Sequence, residues 1–456
     1  MHMLFTLEDL SKWFPKNQGN INKETAIKEI TTDSRKEVKD SLFVPIVGEH
    51  FDGHQFAEQA VENGAVALFW NEDRDLPSTL PRDFPVFLVK DTLPSLQKLA
   101  SLYRDQINPI VVGITGSNGK TTTKDLVTTV LKSKYITHST KGNYNNHIGL
   151  PLTILSMSRD TEVLVLEMGM SNFGEIDLLS QIARPNFAII TNIGESHIEF
   201  LGSREGIAKA KMEIINGLQD NGTIIIDGDE ELLKSLHQKP KVIKCGFKER
   251  NDFKIEDSKV TSKETIFKLS DGATYHIPLL GKHHAKNACY AIALAYCVGI
   301  NAKQRQQALK FVQHTSMRFE LLKGKNEVSI INDAYNASPT SMKAAIKVVK
   351  ELNGFKDKVL VLGDVLELGE FSKSLHETVA EAIGEPITTV FTFGTMSKVI
   401  SDKVKKDKGN KIKTAHFDTK EELMEALQPF LNNQSLVLFK ASRGLKFESF
   451  VNELIN

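Results

Sequence analysis

The stretch Pro109-Ile110-Val111-Val112-Gly113-Ile114-Thr115-Gly116-Ser117-Asn118-Gly119-Lys120-Thr121-Thr122 decides the reading of this chain. Residues 110–115 form a continuous apolar run of the kind a buried parallel strand carries. A glycine-rich turn follows directly. A helix opens behind it, with Leu126, Val127, Val130 and Leu131 as its apolar face. Glycines let backbone N–H groups turn inward around phosphate oxygens. The helix N-terminus adds partial positive charge, Lys120 adds a full one, and the Thr121 hydroxyl can ligate Mg²⁺. Gly116, Ser117, Asn118, Gly119, Lys120, Thr121 and Thr122 are therefore candidate nucleotide contacts. The loop departs from the strict phosphate-loop pattern, because Ile114 stands where the first glycine would be. The competing reading is a glycine-rich turn without a ligand.

Working outward, buried-type strands are predicted over residues 163–166, 187–191 and 223–226. Ligands of open parallel sheets bind at the carboxyl ends of strands, where the phosphate loop also sits. Glu167 ends one neighbouring strand and His197 lies in the loop after another, so both are candidate metal ligands. A carboxylate supplies the hard oxygen that Mg²⁺ prefers, whereas imidazole is a less usual ligand for it. A loop or core histidine is the alternative for His197. A predicted helix over 203–218 places Ile207, Lys211, Ile214 and Leu218 on one stripe. A lysine inside an apolar stripe becomes a neutral, reactive amine, finds an anion, or packs its stem while its ammonium reaches water.

The rest of the chain divides around this block. Residues 1–82 mix short strands (41–47, 65–70) with helices (7–14, 56–63), and a charged, proline-bearing stretch over 71–85 reads as a linker. Residues 83–316 hold the phosphate loop, followed by a period-two stretch over 252–280 that predicts an antiparallel meander. Residues 317–456 alternate strands at 328–331, 359–362, 389–393, 412–416 and 436–439 with helical stretches. The fold class is α/β: a small N-terminal domain, a central mainly parallel sheet with an antiparallel insertion, and a C-terminal doubly wound, Rossmann-like domain.

Composition narrows the function. The 456 residues carry 57 Lys+Arg and 57 Asp+Glu, a formal net charge of zero. That balance argues against a non-specific nucleic-acid binder, and the lysine-rich run 398–413 reads as a solvated helix and loop. The three cysteines, an odd number with no metal or redox spacing, fit a reducing compartment. Residues 1–14 carry Glu8, Asp9 and Lys12 and do not read as a signal peptide. The most apolar stretch, 288–300, is too short to cross a bilayer. A cytoplasmic protein with no membrane partner is expected.

Three polar clusters remain: Lys141-Gly142-Asn143-Tyr144-Asn145-Asn146-His147, Asn332-Asp333-Ala334-Tyr335-Asn336-Ala337-Ser338-Pro339, and Thr31-Thr32-Asp33-Ser34-Arg35. Each is compatible with plain turn chemistry. Together with the phosphate loop, Leu166-Glu167-Met168-Gly169 and Leu362-Gly363-Asp364-Val365-Leu366-Glu367-Leu368-Gly369, they resemble the Mur ligase family, ATP-dependent amide ligases of peptidoglycan precursor synthesis. The resemblance covers essentially the whole chain, and the family's phosphate loop has the shortened form seen here. No Asp-Asn-Pro-Arg segment, as used by diaminopimelate-adding members, occurs. The resemblance is greatest to the members that add D-alanyl-D-alanine to UDP-N-acetylmuramoyl-tripeptide.

The resemblance implies substrates, cofactors and roles. ATP would phosphorylate the tripeptide carboxylate, and the dipeptide amine would attack the acyl phosphate. Thr121 and Glu167 would hold one Mg²⁺; Glu167, His197 and an N-carbamylated Lys211 would serve a second. Lys120, Lys211, His197 and Asp333 are the implied catalytic set. Asn287, Arg318 and Asp333 match nucleotide contacts; Ser34, Arg35, Asn146, Asn336 and Ser442 are implied substrate contacts. Asp333, Asn336 and His376 are candidate bases by location. His284 and Ala441 depart from the family's usual Asn and Gly. Another Mur ligase or a folylpolyglutamate synthase-like ligase is the alternative, and a monomer is expected.

Overall fold

The computed structural model describes residues 3–234, 236, 241–313 and 315–455. Three sheets are stacked along the chain. The first has five strands in the order Asn17–Gln18, Val86–Val89, Ala65–Asn71, Ser41–Phe43, Glu29–Thr31, parallel except at the Asn17–Gln18 edge. A two-stranded pair, Phe5–Thr6 with Ala26–Ile27, lies beside it.

One boundary differs from expectation. Val86–Val89, expected to open the middle block, is an interior strand of the first sheet, and Phe87 is fully buried there. Residues 72–85 therefore act as a crossover rather than a linker: Glu72 N–H already donates to the Val89 carbonyl at 2.8 Å. Four consecutive apolar residues find cover on both faces only inside a sheet.

The middle sheet has nine strands. Ile110–Thr115 lies between Phe187–Ile190 and Val163–Glu167, parallel to both. Outward on one side lies Thr137–Ser139; on the other lie Thr223–Asp227 and Lys241–Gly246. The expected meander follows as Phe253–Val260, Thr265–Leu269 and Thr274–Ile277, paired antiparallel. Helix Lys120–Leu131 packs against helix Lys282–Cys297 on one face, and Thr92–Ile107, Gly149–Leu155 and Glu175–Ala183 share the other. Residues 288–295 of the run 288–300 are the buried part of helix Lys282–Cys297, with Tyr296 exposed; no helix among the described residues is long and apolar enough to cross a membrane. The helix predicted over 203–218 is shorter: Ser203 caps Arg204–Met212, and a 3₁₀ turn, Glu213–Ile215, follows.

The C-terminal sheet has six strands in the order Glu320–Lys323, Ser329–Asn332, Ser435–Lys440, Asp357–Gly363, Thr389–Phe393, Lys413–Phe417. All neighbours run parallel except Glu320–Lys323, an edge strand with no sequence forecast. Its four partly exposed residues, Glu-Leu-Leu-Lys, carry two adjacent leucines and no apolar alternation to announce it.

Candidate active site

Around strand Ile110–Thr115 the middle sheet changes direction of growth, and a crevice opens at the strand ends. A cavity of about 500 Å³ lies there, lined from both the middle and C-terminal sheets. Ser117, Asn118, Gly119, Lys120, Thr121, Thr122, Asn146, Glu167, His197, Asn287, Arg318, Asp333 and Asn336 all border it.

The phosphate loop is shaped by close contacts. A Cβ on Gly116 would lie 1.9 Å from Thr191 Oγ1, and Gly119, at φ +77, lies against Asn287 Oδ1. Only glycine fits either place. Lys120 Nζ donates to the Gly116 carbonyl at 2.8 Å, which curls the lysine over its own loop. Burial pushes the Lys120 amine below its ordinary value; Glu167 opposes this and Arg318 adds to it.

Glu167 is 3% exposed. Asn145 Nδ2 donates to its Oε1 at 2.9 Å, while Oε2 has no hydrogen-bond partner among the described residues. A buried carboxylate oxygen without a partner is costly unless something else completes it. Lys211 is 2% exposed and makes no hydrogen bond or ion pair to a described residue. Burial drives its amine well below the ordinary range, and nearby Lys120 drives it further. It does not line the cavity but sits behind it. His197, at φ 65, lies 2.5 Å through Nδ1 from Glu367 Oε2 of the C-terminal block. That contact holds the Glu367 carboxyl below its usual value.

The C-terminal sheet presents a paired cation. Lys440 Nζ lies 2.6 Å from Asp333 Oδ2 and donates to the Asn336 carbonyl at 3.1 Å. Asp333 Oδ1 accepts from Phe319 N–H at 3.2 Å. Between the two sheets, Arg318 donates through Nη2 to Thr121 Oγ1 at 3.3 Å and stacks 4.0 Å over the Tyr335 ring. Its neighbours Met317 and Phe319 both have positive φ, at 60° and 56°. Bulky residues rarely hold that conformation, so the connector is strained where it delivers Arg318.

Other expected residues fall elsewhere. The Ser34 hydroxyl is buried against Gln59 Oε1 at 2.7 Å, and Arg35 is exposed and bound to Asp33, whose pKa it lowers to about 2. Neither lines the cavity. Ser442 does not line it either: its Oγ accepts from Leu366 N–H at 2.9 Å, so it braces a loop. His376 is wholly buried, with Nε2 accepting from Val365 N–H at 3.0 Å and Nδ1 against the Ser372 carbonyl at 2.7 Å. Both ring nitrogens are taken, which removes it as a base. His284 is buried and packs its ring 4.0 Å from that of His283. Sequence reasoning did not single out Asn145, Asn192, Glu195, Lys440 or Glu367 as site residues. Asn145 and Glu367 lie inside the marked stretches 141–147 and 362–369, and Lys440 ends an apolar run; Asn192 and Glu195 carried no signal.

A phosphate loop, an open carboxylate and a second sheet's cations facing one cavity can be compared with known proteins. The descriptions Mur ligase family, catalytic domain, Mur ligase middle domain, and Mur ligase, glutamate ligase domain match residues 26–104, 114–295 and 317–443. The chain belongs to the Mur ligase family. The UDP-N-acetylmuramoyl-tripeptide–D-alanyl-D-alanine ligase of Bacillus subtilis is 47% identical, over 95% of this chain and 94% of its own. A crystal structure of MurF from Acinetobacter baumannii superposes with TM-score 0.87 at 29% identity, covering 99% of this chain and 98% of that one. MurF from Thermotoga maritima, solved in complex with ADP, superposes with TM-score 0.83 at 31% identity, covering 93% and 96%. As a Mur ligase, the chain has a three-domain α/β architecture.

Proposed function

We propose that this Mur ligase joins D-alanyl-D-alanine to the terminal carboxylate of UDP-N-acetylmuramoyl-tripeptide, with ATP as phosphoryl donor, in peptidoglycan precursor synthesis. The observation that carries the proposal is the single cavity shared by the phosphate loop, Glu167 and the Lys440–Asp333 pair. The relatives named for this reaction supply the substrates.

A carboxylate is a poor electrophile, so an amine does not displace its oxygen unaided. Transfer of the γ-phosphoryl group to the carboxylate gives an acyl phosphate and ADP. The dipeptide amine then forms the C–N bond as phosphate leaves. The chain's part is positioning and charge compensation. The loop N–H groups of 116–122 cradle the phosphates, and Lys120 turns from the Gly116 carbonyl onto the transferring group. Arg318, stacked on Tyr335, and Lys440 bring positive charge from the opposite wall, where the carboxylate must approach.

The residues fit divalent cations. Glu167 leaves one buried oxygen open, and Thr121 and His197 border the same space. No group of three or more His, Cys, Asp or Glu side chains is gathered among the described residues, so Mg²⁺ here would complete its shell with phosphate and water. Bound Mg²⁺ would neutralise charge between the phosphates and the incoming carboxylate. A carbamate on Lys211 accounts for a buried amine with no acid beside it: the neutral amine's nitrogen forms a C–N bond to CO₂ and releases one proton to solvent, leaving an oxygen anion. We assign the UDP end of the acceptor to the block of the first sheet, which reaches Val89, ATP to the block of the middle sheet that follows, up to 316, and the dipeptide to 317–456. A monomer is the working form in this reading, and its use of ATP supports a cytoplasmic location.

The test is direct. The protein is mixed with ATP, Mg²⁺, UDP-tripeptide and a panel of amines, and products are identified by mass. Phosphate release that needs both UDP-tripeptide and D-alanyl-D-alanine is expected. Release without them, or a product with another amine only, overturns the proposal.

A further inference from the structure

The loop after strand Phe187–Ile190 touches both walls of the cavity. Its first half lies on the phosphate loop. Asn192 Oδ1 accepts from Asn118 N–H at 3.0 Å, Asn192 Nδ2 donates to the Asn118 carbonyl at 2.8 Å, and Gly194 N–H donates to Ser117 Oγ at 2.8 Å. Its second half crosses to the C-terminal block. The Thr340 hydroxyl lies 2.8 and 2.7 Å from the two Glu195 carboxylate oxygens and donates to that group; Thr340 N–H adds a bond of 3.3 Å. Thr340 is the second residue of helix Pro339–Glu351, so the carboxylate sits at the positive end of the helix. At the other end of the loop, Glu199 N–H donates to the Glu367 carbonyl at 3.3 Å, and Glu367 Oε2 reaches His197 Nδ1. Both His197 and Glu367 have left-handed backbone, which side-chain-bearing residues hold only where their surroundings require it.

We propose that residues 192–199 form a nucleotide-sensing latch, in which Glu195 and Thr340 are positioning residues that hold the C-terminal block closed over a filled phosphate loop. The side chains of the crossing are suited to repeated making and breaking. Thr340 and Glu367 are exposed, Glu195 and His197 only partly buried. Contacts of this kind are individually weak; Ile198, Leu201 and Leu368 beside them are buried in one apolar cluster. The coupling to nucleotide is steric and local. Ser338 Oγ donates to Asn118 Oδ1 at 3.0 Å, so the C-terminal helix docks on Asn118, the phosphate-loop residue that Asn192 also holds, while Gly194 holds its neighbour Ser117. A triphosphate that orders 116–122 fixes the surface on which both rest. Substrates that bind only the closed form then pay less for closure, and their apparent affinity rises with the closed fraction.

The kinetic half of this inference rests on the ligase reading; the conformational half does not. Small-angle X-ray scattering of the full chain is recorded with and without Mg²⁺ and a non-hydrolysable ATP analogue, for the wild type, Glu195→Ala, Thr340→Val and Thr340→Ser. In the wild type the analogue shifts the curve toward a more compact form. Glu195→Ala and Thr340→Val are expected to lose more than half of that shift, and Thr340→Ser, which keeps the hydroxyl, to retain it. In turnover, Thr340→Val should raise KM for D-alanyl-D-alanine about five- to tenfold while kcat stays within about twofold, because saturating substrate draws the closed state. An undiminished compaction in both Glu195→Ala and Thr340→Val overturns the latch, as does a fall in kcat at unchanged KM. Absence of any peptide product from the wild type would instead sink the ligase reading, and the scattering shifts would still decide the latch.

Discussion

Replacing Lys211 with Met should stabilise the protein while removing its ligase activity. The side chain is 2% exposed, sits on the stripe with Ile207 and Ile214, and has no acid beside it. Burial drives the Lys211 amine well below its ordinary range, and nearby Lys120 adds to this, so the fold works against its charged form. Methionine of similar length carries no such cost, and its imperfect packing forfeits less than about 1.5 kcal/mol. The net expectation is a gain of about 1–4 kcal/mol, the range found when buried ionic groups are exchanged for well-packed apolar ones. Urea denaturation followed by circular dichroism in CO₂-free buffer at pH 7 measures it. Adding bicarbonate should narrow the gap, because a carbamate formed only in the folded state stabilises the wild type by mass action. A Met variant no more stable than wild type in CO₂-free buffer would refute the reasoning, since the ammonium would then have to be charged and well solvated.

Three other outcomes are expected. Lys440→Met should behave oppositely, losing about 3–5 kcal/mol in the same assay, because it strands Asp333 without its 2.6 Å partner. Lys120→Ala should cut substrate-dependent phosphate release at least about a hundredfold, with the circular dichroism spectrum unchanged. His283, whose pKa burial lowers to about 4 against the pull of Asp333, should make the fold acid-sensitive. Below about 6.5 the unfolded chain takes a proton that folded His283 refuses until about 4, so stability is lost as pH falls across that window. Between pH 7 and 5 the loss is about 2 kcal/mol at most, the ring being partly exposed at the cavity wall; His283→Gln should remove that share of the urea-measured pH dependence.

What the sequence made legible was local. A continuous apolar run, a glycine-rich turn and an amphipathic helix in succession are set by backbone sterics and periodicity within about twenty residues, and the fold places them as read. What it hid was set by pairing at a distance. Val86–Val89 reads the same whether it joins the sheet before it or the one after it, and Glu320–Lys323 is a strand only because Ser329–Asn332 lies beside it. The hydroxyls of Ser34 and Ser442 looked free because their partners, Gln59 and the Leu366 N–H, come from other segments. Glu195 is an acid in a loop that nothing along the chain distinguishes from a solvated one, and Glu367 stands in the marked stretch 362–369 with no sign there that it meets His197.

The two buried lysines show where the limit falls. Lys211 follows an apolar stripe on a helix, and Lys440 ends the apolar strand Ser435–Lys440. By pattern alone both are cations placed where cations do not belong, and the physical question for each is whether an anion waits there. That depends on a residue more than a hundred positions away in one case, where strand Ser329–Asn332 lies alongside Ser435–Lys440 and delivers Asp333 at its end. In the other, the fold delivers Lys120, a second cation. A structure that holds two buried amines within electrostatic reach of each other, with the open oxygen of Glu167 bordering the same space as Lys120, is under-satisfied as it stands. The same arrangement becomes balanced if CO₂ turns one amine into an anion and cations then bridge the oxygens. The stability cost at Lys211 and the chemistry proposed for it are thus one feature, and removing the cost should remove the activity.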